Sequence, residues 1–124
     1  MEKTKFIAHN EHALNETPCH GGEGIWHCRD MMWAVDKKDR LFIKYIHSTI
    51  IPPGSSIGYH QHDAPPEEEW YLCISGHGVM TLDGKDYDMG PGDTSACYGN
   101  GYHSLKNTGD EDIRLVVIYA SAIK

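Results

Sequence analysis

No 11-residue window of this chain spaces its apolar side chains at the 3.6-residue period of a helix, whereas short runs of β-branched and aromatic residues recur throughout. Glycine, proline or Asp-Gly chemistry closes most of them. Trp26 to Val35 alternates, the polar Asp36-Lys37-Lys38-Asp39 follows, and Leu41 to Ile51 returns, which is a hairpin pattern. Pro52-Pro53-Gly54 ends that run, because prolines cannot donate to a ladder. Ile57 to His62, Glu69 to Ile74, Val79 to Leu82, Lys85 to Asp88, Thr94 to Tyr98, Tyr102 to Lys106 and Ile113 to Tyr119 are the further strands. Asp83-Gly84 is the strongest hairpin turn among them. Residues 9 to 16 read as a short helix or coil. Roughly nine strands about 8 to 12 residues apart predict an all-β sandwich or barrel. The 124 residues suffice for one domain, and no linker composition divides them.

Charge narrows the partners. The formal net charge is −7 and the 11 Lys and Arg are scattered, so no basic face for nucleic acid is present. The same acidity disfavours anionic membranes and leaves a small molecule as the expected partner. No apolar run is long enough for a membrane span or for a signal peptide at the N-terminus. Cys19, Cys28, Cys73 and Cys97 show no CxxC spacing, and they are expected to be reduced thiols in a cytoplasmic protein.

Nine histidines form the one compositional anomaly, and the position of two of them carries more weight than the number. In a strand His60 and His62 share a face, about 7 Å apart, with Gln61 opposite. Glu67 and Glu69 also share a face, and Tyr71 and Cys73 continue it. A carboxylate on an inward face of that kind is costly unless it is paired or bound to a cation. Taken alone, the His-x-His pair is a weak signal, and the Glu67-Glu68-Glu69 run reads as a solvated turn.

The larger pattern is more specific. Gly54-x5-His60-x-His62-x6-Glu69-x6-Gly76 resembles the first motif of the cupins, and Gly92-x5-Tyr98-x-Asn100-x2-His103-x3-Asn107 resembles the second. Gly78 to Lys85 is similar to the hairpin that joins them, and the likeness covers residues 41 to 120. The gap between His62 and the glutamate is longer than the family's usual three or four residues. Counting forward from His62 selects Glu67; counting back from Gly76 selects Glu69, which the fixed register of the following strand favours. Tyr98 and Asn100 stand where the family pattern has Pro and Gly.

The resemblance implies a small conical β-barrel of jelly-roll type over residues 41–124. Residues 1–40 then form an extension and first strands packed on it. It further implies a homodimer and one divalent metal (Fe, Mn, Ni, Zn or Co) held by His60, His62, Glu69 and His103. Such a protein is expected to be a metalloenzyme for an oxygen-rich or carboxylate-bearing metabolite, of dioxygenase, decarboxylase, lyase or isomerase type. Tyr71 and His47 are the candidate proton-transfer groups. The alternatives are a non-catalytic module that binds a sugar or small acid, and a barrel whose metal is structural. His20-Gly21-Gly22-Glu23-Gly24 lies outside both motifs; His20 before this turn could reach a barrel mouth, but it reads rather as an exposed loop residue.

Overall fold

The computed structural model describes residues 13–15, 18–62 and 66–122. Its strands are β1 (Ala13–Asn15), β2 (His27–Asp30), β3 (Ile43–Ile51), β4 (Ser56–Gln61), β5 (Glu67–Ser75), β6 (Gly78–Leu82), β7 (Lys85–Met89), β8 (Thr94–Tyr98), β9 (Tyr102–Lys106) and β10 (Ile113–Ser121). They form two antiparallel sheets, ordered β1-β2-β3-β10-β5-β8 and β4-β9-β6-β7. From β3 onward the chain crosses between the sheets at every connection except the Asp83-Gly84 hairpin. Wrapping two sheets in this way is a jelly-roll barrel, as the strand spacing and the motif resemblance anticipate.

Two local expectations are corrected. Residues 13–15, within the stretch read as helix or coil, are a strand paired with β2, while His9 and His12 lie outside the described residues. The alternating run Trp26 to Val35 is a strand only over His27–Asp30. Beyond it, the Asp30 carboxylate accepts the Met32 N–H at 2.9 Å, and the Arg40 guanidinium donates to the carbonyls of Met32, Val35 and Lys44. These side-chain bonds offer the backbone an alternative to the ladder and fold the segment into turns.

The barrel interior is graded along its axis. Across the larger sheet the inward residues form registered rows: Tyr45-Tyr119-Glu69-Cys97, then His47-Val117-Tyr71-Ser95, then Thr49-Leu115-Cys73, then Ile51-Ile113. The smaller sheet faces them with His60-His103-Leu82 and, below, Ile57-Leu105-Met80. One end is therefore an apolar plug of Ile51, Ile57, Met80, Leu105, Ile113 and Leu115, all at most 2% exposed. Burial of each such side chain contributes about 1.5–3 kcal/mol. Buried Asn107 closes this end, its amide donating to the Ile51 and Glu111 carbonyls at 2.8 and 2.7 Å. The other end collects the titratable groups.

Candidate metal centre

A β-bulge aims the first two histidines. Ile57 pairs with Leu105 and His60 with His103, so β4 spends three residues where β9 spends two. Strict alternation would turn either Ile57 or His60 outward. The extra residue at Gly58-Tyr59 lets Ile57 fill the plug while His60 faces the polar end. His103 opposes His60 from β9, and Glu69 reaches across from β5 in the other sheet.

Their tips converge. His62 Nε2 lies 3.0 Å from His103 Nε2 and 3.0 Å from Glu69 Oε1. His103 Nε2 lies 3.2 Å from His60 Nε2 and 3.2 Å from Glu69 Oε1. Two ligands about 2.1 Å from a metal and at right angles are themselves about 3.0 Å apart, so these edges suit one ion. All four donor atoms fall within 4.8 Å of one another, and the cluster could hold a metal.

The protons decide the fit. His60 Nδ1 lies 2.7 Å from the Gly58 carbonyl, which can only accept, so the ring proton sits on Nδ1 and leaves a lone pair on Nε2. His62 Nδ1 lies 3.2 Å from Glu67 Oε1, which fixes its tautomer in the same way. His103 Nδ1 is buried with no hydrogen-bond partner among the described residues, so no outer group fixes that ring. A neutral His103 brings at most one proton to a point where two imidazole lone pairs and a carboxylate oxygen already face one another. Such a cluster of acceptors is unfavourable until a cation, either a metal or further protons, sits among them.

Electrostatics agree with that account. Burial pushes the His60 imidazole down to about 4, which keeps its lone pair available. The Glu69 hydrogen bond raises His62 above its ordinary value against the cost of burial. Burial alone raises the Glu69 carboxyl, but hydrogen bonds from His103, His62 and Tyr45 outweigh it and hold Glu69 well below the usual carboxylate range. The competing cation at low pH is thus a proton on His62.

Glu67 and Glu69, which alternation places on one face, occupy different surroundings. Glu69 is 4% exposed and faces the three imidazoles, whereas Glu67 lies behind His62. Two stacked tyrosines hold the pair: the Tyr45 hydroxyl donates to Glu69 Oε2 and the Tyr119 hydroxyl to Glu67 Oε2. Tyr45 occupies the second oxygen of Glu69, so only Oε1 is presented to the imidazoles. Neither Tyr119 nor the outer position of Glu67 was legible beforehand.

A cavity of about 330 Å³ opens beside Glu69, lined among others by His20, Trp26, Tyr45, His47 and Tyr71. His47 stacks on Tyr45 at 4.1 Å, and the Tyr71 ring lies 4.7 Å from that of His103. Both candidate proton-transfer residues therefore line the cavity, and neither belongs to the four-residue cluster. His20, read as an exposed loop residue, is an exposed turn residue, and its ring also stacks on His60 with centroids 3.7 Å apart.

A family model described as "Cupin domain" matches residues 47–119. An oxalate-binding protein of Thermotoga maritima is 35% identical over 85 residues, 68% of this chain and 65% of that protein. A 5-nitrosalicylic acid 1,2-dioxygenase of a Bradyrhizobium species is 30% identical over 74 residues, 60% of this chain and 34% of that enzyme. The chain thus spans less than two thirds of either relative's length. The crystal structure of a predicted oxalate decarboxylase from Thermotoga maritima superposes with a TM-score of 0.76 at 27% identity, over 89% of this chain and 92% of that one.

Proposed function

The chain belongs to the cupin domain family, and on that premise we propose that it is a divalent-metal protein that chelates and transforms a small carboxylate or other oxygen-rich acid. The observation that carries this is the convergence of His60, His62 and His103 on Glu69, whose side chain also lines a cavity large enough for a small acid. These four residues would hold one Fe, Mn, Ni, Zn or Co ion. Such an ion would supply a Lewis acid for oxygen atoms of the acid. His47 and Tyr71 would handle protons. Burial holds His47 below its ordinary value, so near neutrality its imidazole is an uncharged base. Burial likewise pushes the Tyr71 phenol far up, so it stays a donor.

The likeness to an oxalate-binding protein favours a second version, in which the acid is held without turnover. Calorimetry with oxalate on metal-free and Mn(II)-loaded protein tests both. Binding is expected only in the loaded form, and oxygen uptake or carbon dioxide release separates the enzyme from the binder. Mn(II) affinity is expected to fall as the pH drops, because the ligand imidazoles must be free of protons. His62, with its raised pKa, takes up its proton first, so the decline begins above the ordinary imidazole value of about 6.5. Identical titrations of the two forms would end this proposal.

Pairing of two copies belongs to the same reading. Met31, Trp33, Leu41, Phe42 and Ile43 are each at least 39% exposed, an apolar concentration on the β2–β3 connection. No helix among the described residues is long and apolar enough to cross a membrane. Light scattering is expected to give the mass of two chains; the mass of one removes the dimer.

A further inference from the structure

Residues 19–24 run along the open edge of β4 as a strap, and it sets the His20 side chain at the cavity. The Cys19 carbonyl accepts the Gly22 and Gly58 N–H groups, both at 2.9 Å. The Glu23 carbonyl accepts the Ser56 N–H at 2.9 Å, and Ser56 Oγ accepts the Glu23 N–H at 2.9 Å. Two glycines allow this closeness. A Cβ on Gly22 would stand 2.2 Å from the Ser56 carbonyl oxygen, and one on Gly58 would stand 2.1 Å from that of His20. His20 itself adopts φ 51°, a left-handed conformation that costs a non-glycine residue about 1 kcal/mol or more. His20 remains exposed in its turn, and this fastening fixes where its ring lies. Its result is an imidazole stacked within 15° of parallel on His60, at the cavity wall it shares with His47 and Tyr71.

We propose that His20 is a specificity-determining residue, donating an N–H hydrogen bond to the end of a small dicarboxylic acid that lies away from the cluster. The N–H bonds of an imidazole lie in the ring plane, so a stack on His60 uses the ring face and leaves the edge for the ligand. Among the described residues no hydrogen bond takes up the His20 ring nitrogens. An acid with oxygen atoms at both ends is held at one end by the ion and at the other by His20. A monocarboxylate of the same size forfeits the second contact. This rests on the metal-bound acid proposed above.

The test compares wild type, His20→Phe and His20→Asn, each titrated with Mn(II) alone and then with oxalate and with acetate. His20→Phe keeps the stack and removes the N–H, whereas His20→Asn keeps a donor and tolerates the left-handed backbone. In His20→Phe, Mn(II) affinity is expected to stay within about twofold of wild type while oxalate binding weakens about tenfold or more. Acetate binding is expected to be unchanged. His20→Asn is expected to recover part of the oxalate affinity. Unaltered oxalate binding in His20→Phe overturns the proposal and leaves the metal-bound acid standing. Loss of Mn(II) in both variants overturns it by making His20 a prop for His60. Wild type that takes Mn(II) but no oxalate removes the underlying reading and this one with it.

Discussion

Glu69→Ala is expected to lower Mn(II) or Zn(II) affinity about a thousandfold, whereas Glu67→Ala lowers it about tenfold and retains one ion per chain. The difference follows from where each carboxylate points. Glu69 Oε1 stands 3.0 and 3.2 Å from two of the imidazole tips, at the position an ion would share with them. Structural zinc sites gather about 10–16 kcal/mol from four ligands, so one ligand accounts for roughly 3–4 kcal/mol, or two to three orders of magnitude. Glu67 touches the far side of His62 and the Tyr119 hydroxyl, so its loss frees a ring to rotate without removing a donor. Outer partners of that kind carry about 10- to 100-fold in affinity. Calorimetric titration and elemental analysis read both variants. The rise in melting temperature on adding metal should persist in Glu67→Ala and vanish in Glu69→Ala. Equal losses would place both carboxylates on the ion.

The two candidates differ in how their roles could be read from sequence. Period-2 alternation put Glu69, Tyr71 and Cys73 on one inward face, and all three are 3–4% exposed. It failed between Ile57 and His60, where the bulge at Gly58-Tyr59 turns residues of opposite parity the same way. Parity could not choose between Glu67 and Glu69, since both lie in β5 and alternate alike; only the register counted back from Gly76 favoured Glu69. In the closed barrel Glu69 lies level with Tyr45 and Tyr119 and faces His103. Tyr119 was hidden at the end of an apolar run, and its use depends on β10 lying between β3 and β5, a non-local pairing that no window contains. The early strand over Trp26 to Val35 was overestimated because Asp30 and Arg40 capture backbone groups that alternation assigns to a ladder. The glycines beside His20 allowed it to reach a barrel mouth, but the stack on His60 was not legible, because Gly58, which seats the strap, lies in β4.

That glycine pair gives the second large effect. Gly58→Ala is expected to lower the melting temperature by about 5–15 °C, from an overpacking cost of about 1–3 kcal/mol in a domain of this size. Gly58 does not use a left-handed backbone, so its requirement is for space alone. The added methyl would press on the His20 carbonyl carbon and the Gly22 nitrogen as well as the His20 oxygen, and none of these is a flexible side-chain end. Either the strap lifts or β4 bends. Lifting the strap takes His20 off His60 and weakens oxalate; bending β4 moves the Gly58 carbonyl that orients the His60 ring and weakens Mn(II). Calorimetry with the two probes in sequence therefore reports which element yields. Gly54→Ala is the control, because Gly54 has φ 78° with open space around it. It is expected to cost only about 1 kcal/mol of backbone strain and to leave both affinities unchanged. If Gly58→Ala melts and binds as Gly54→Ala does, the strap is not seated on β4 and His20 loses the support that holds it over the cavity.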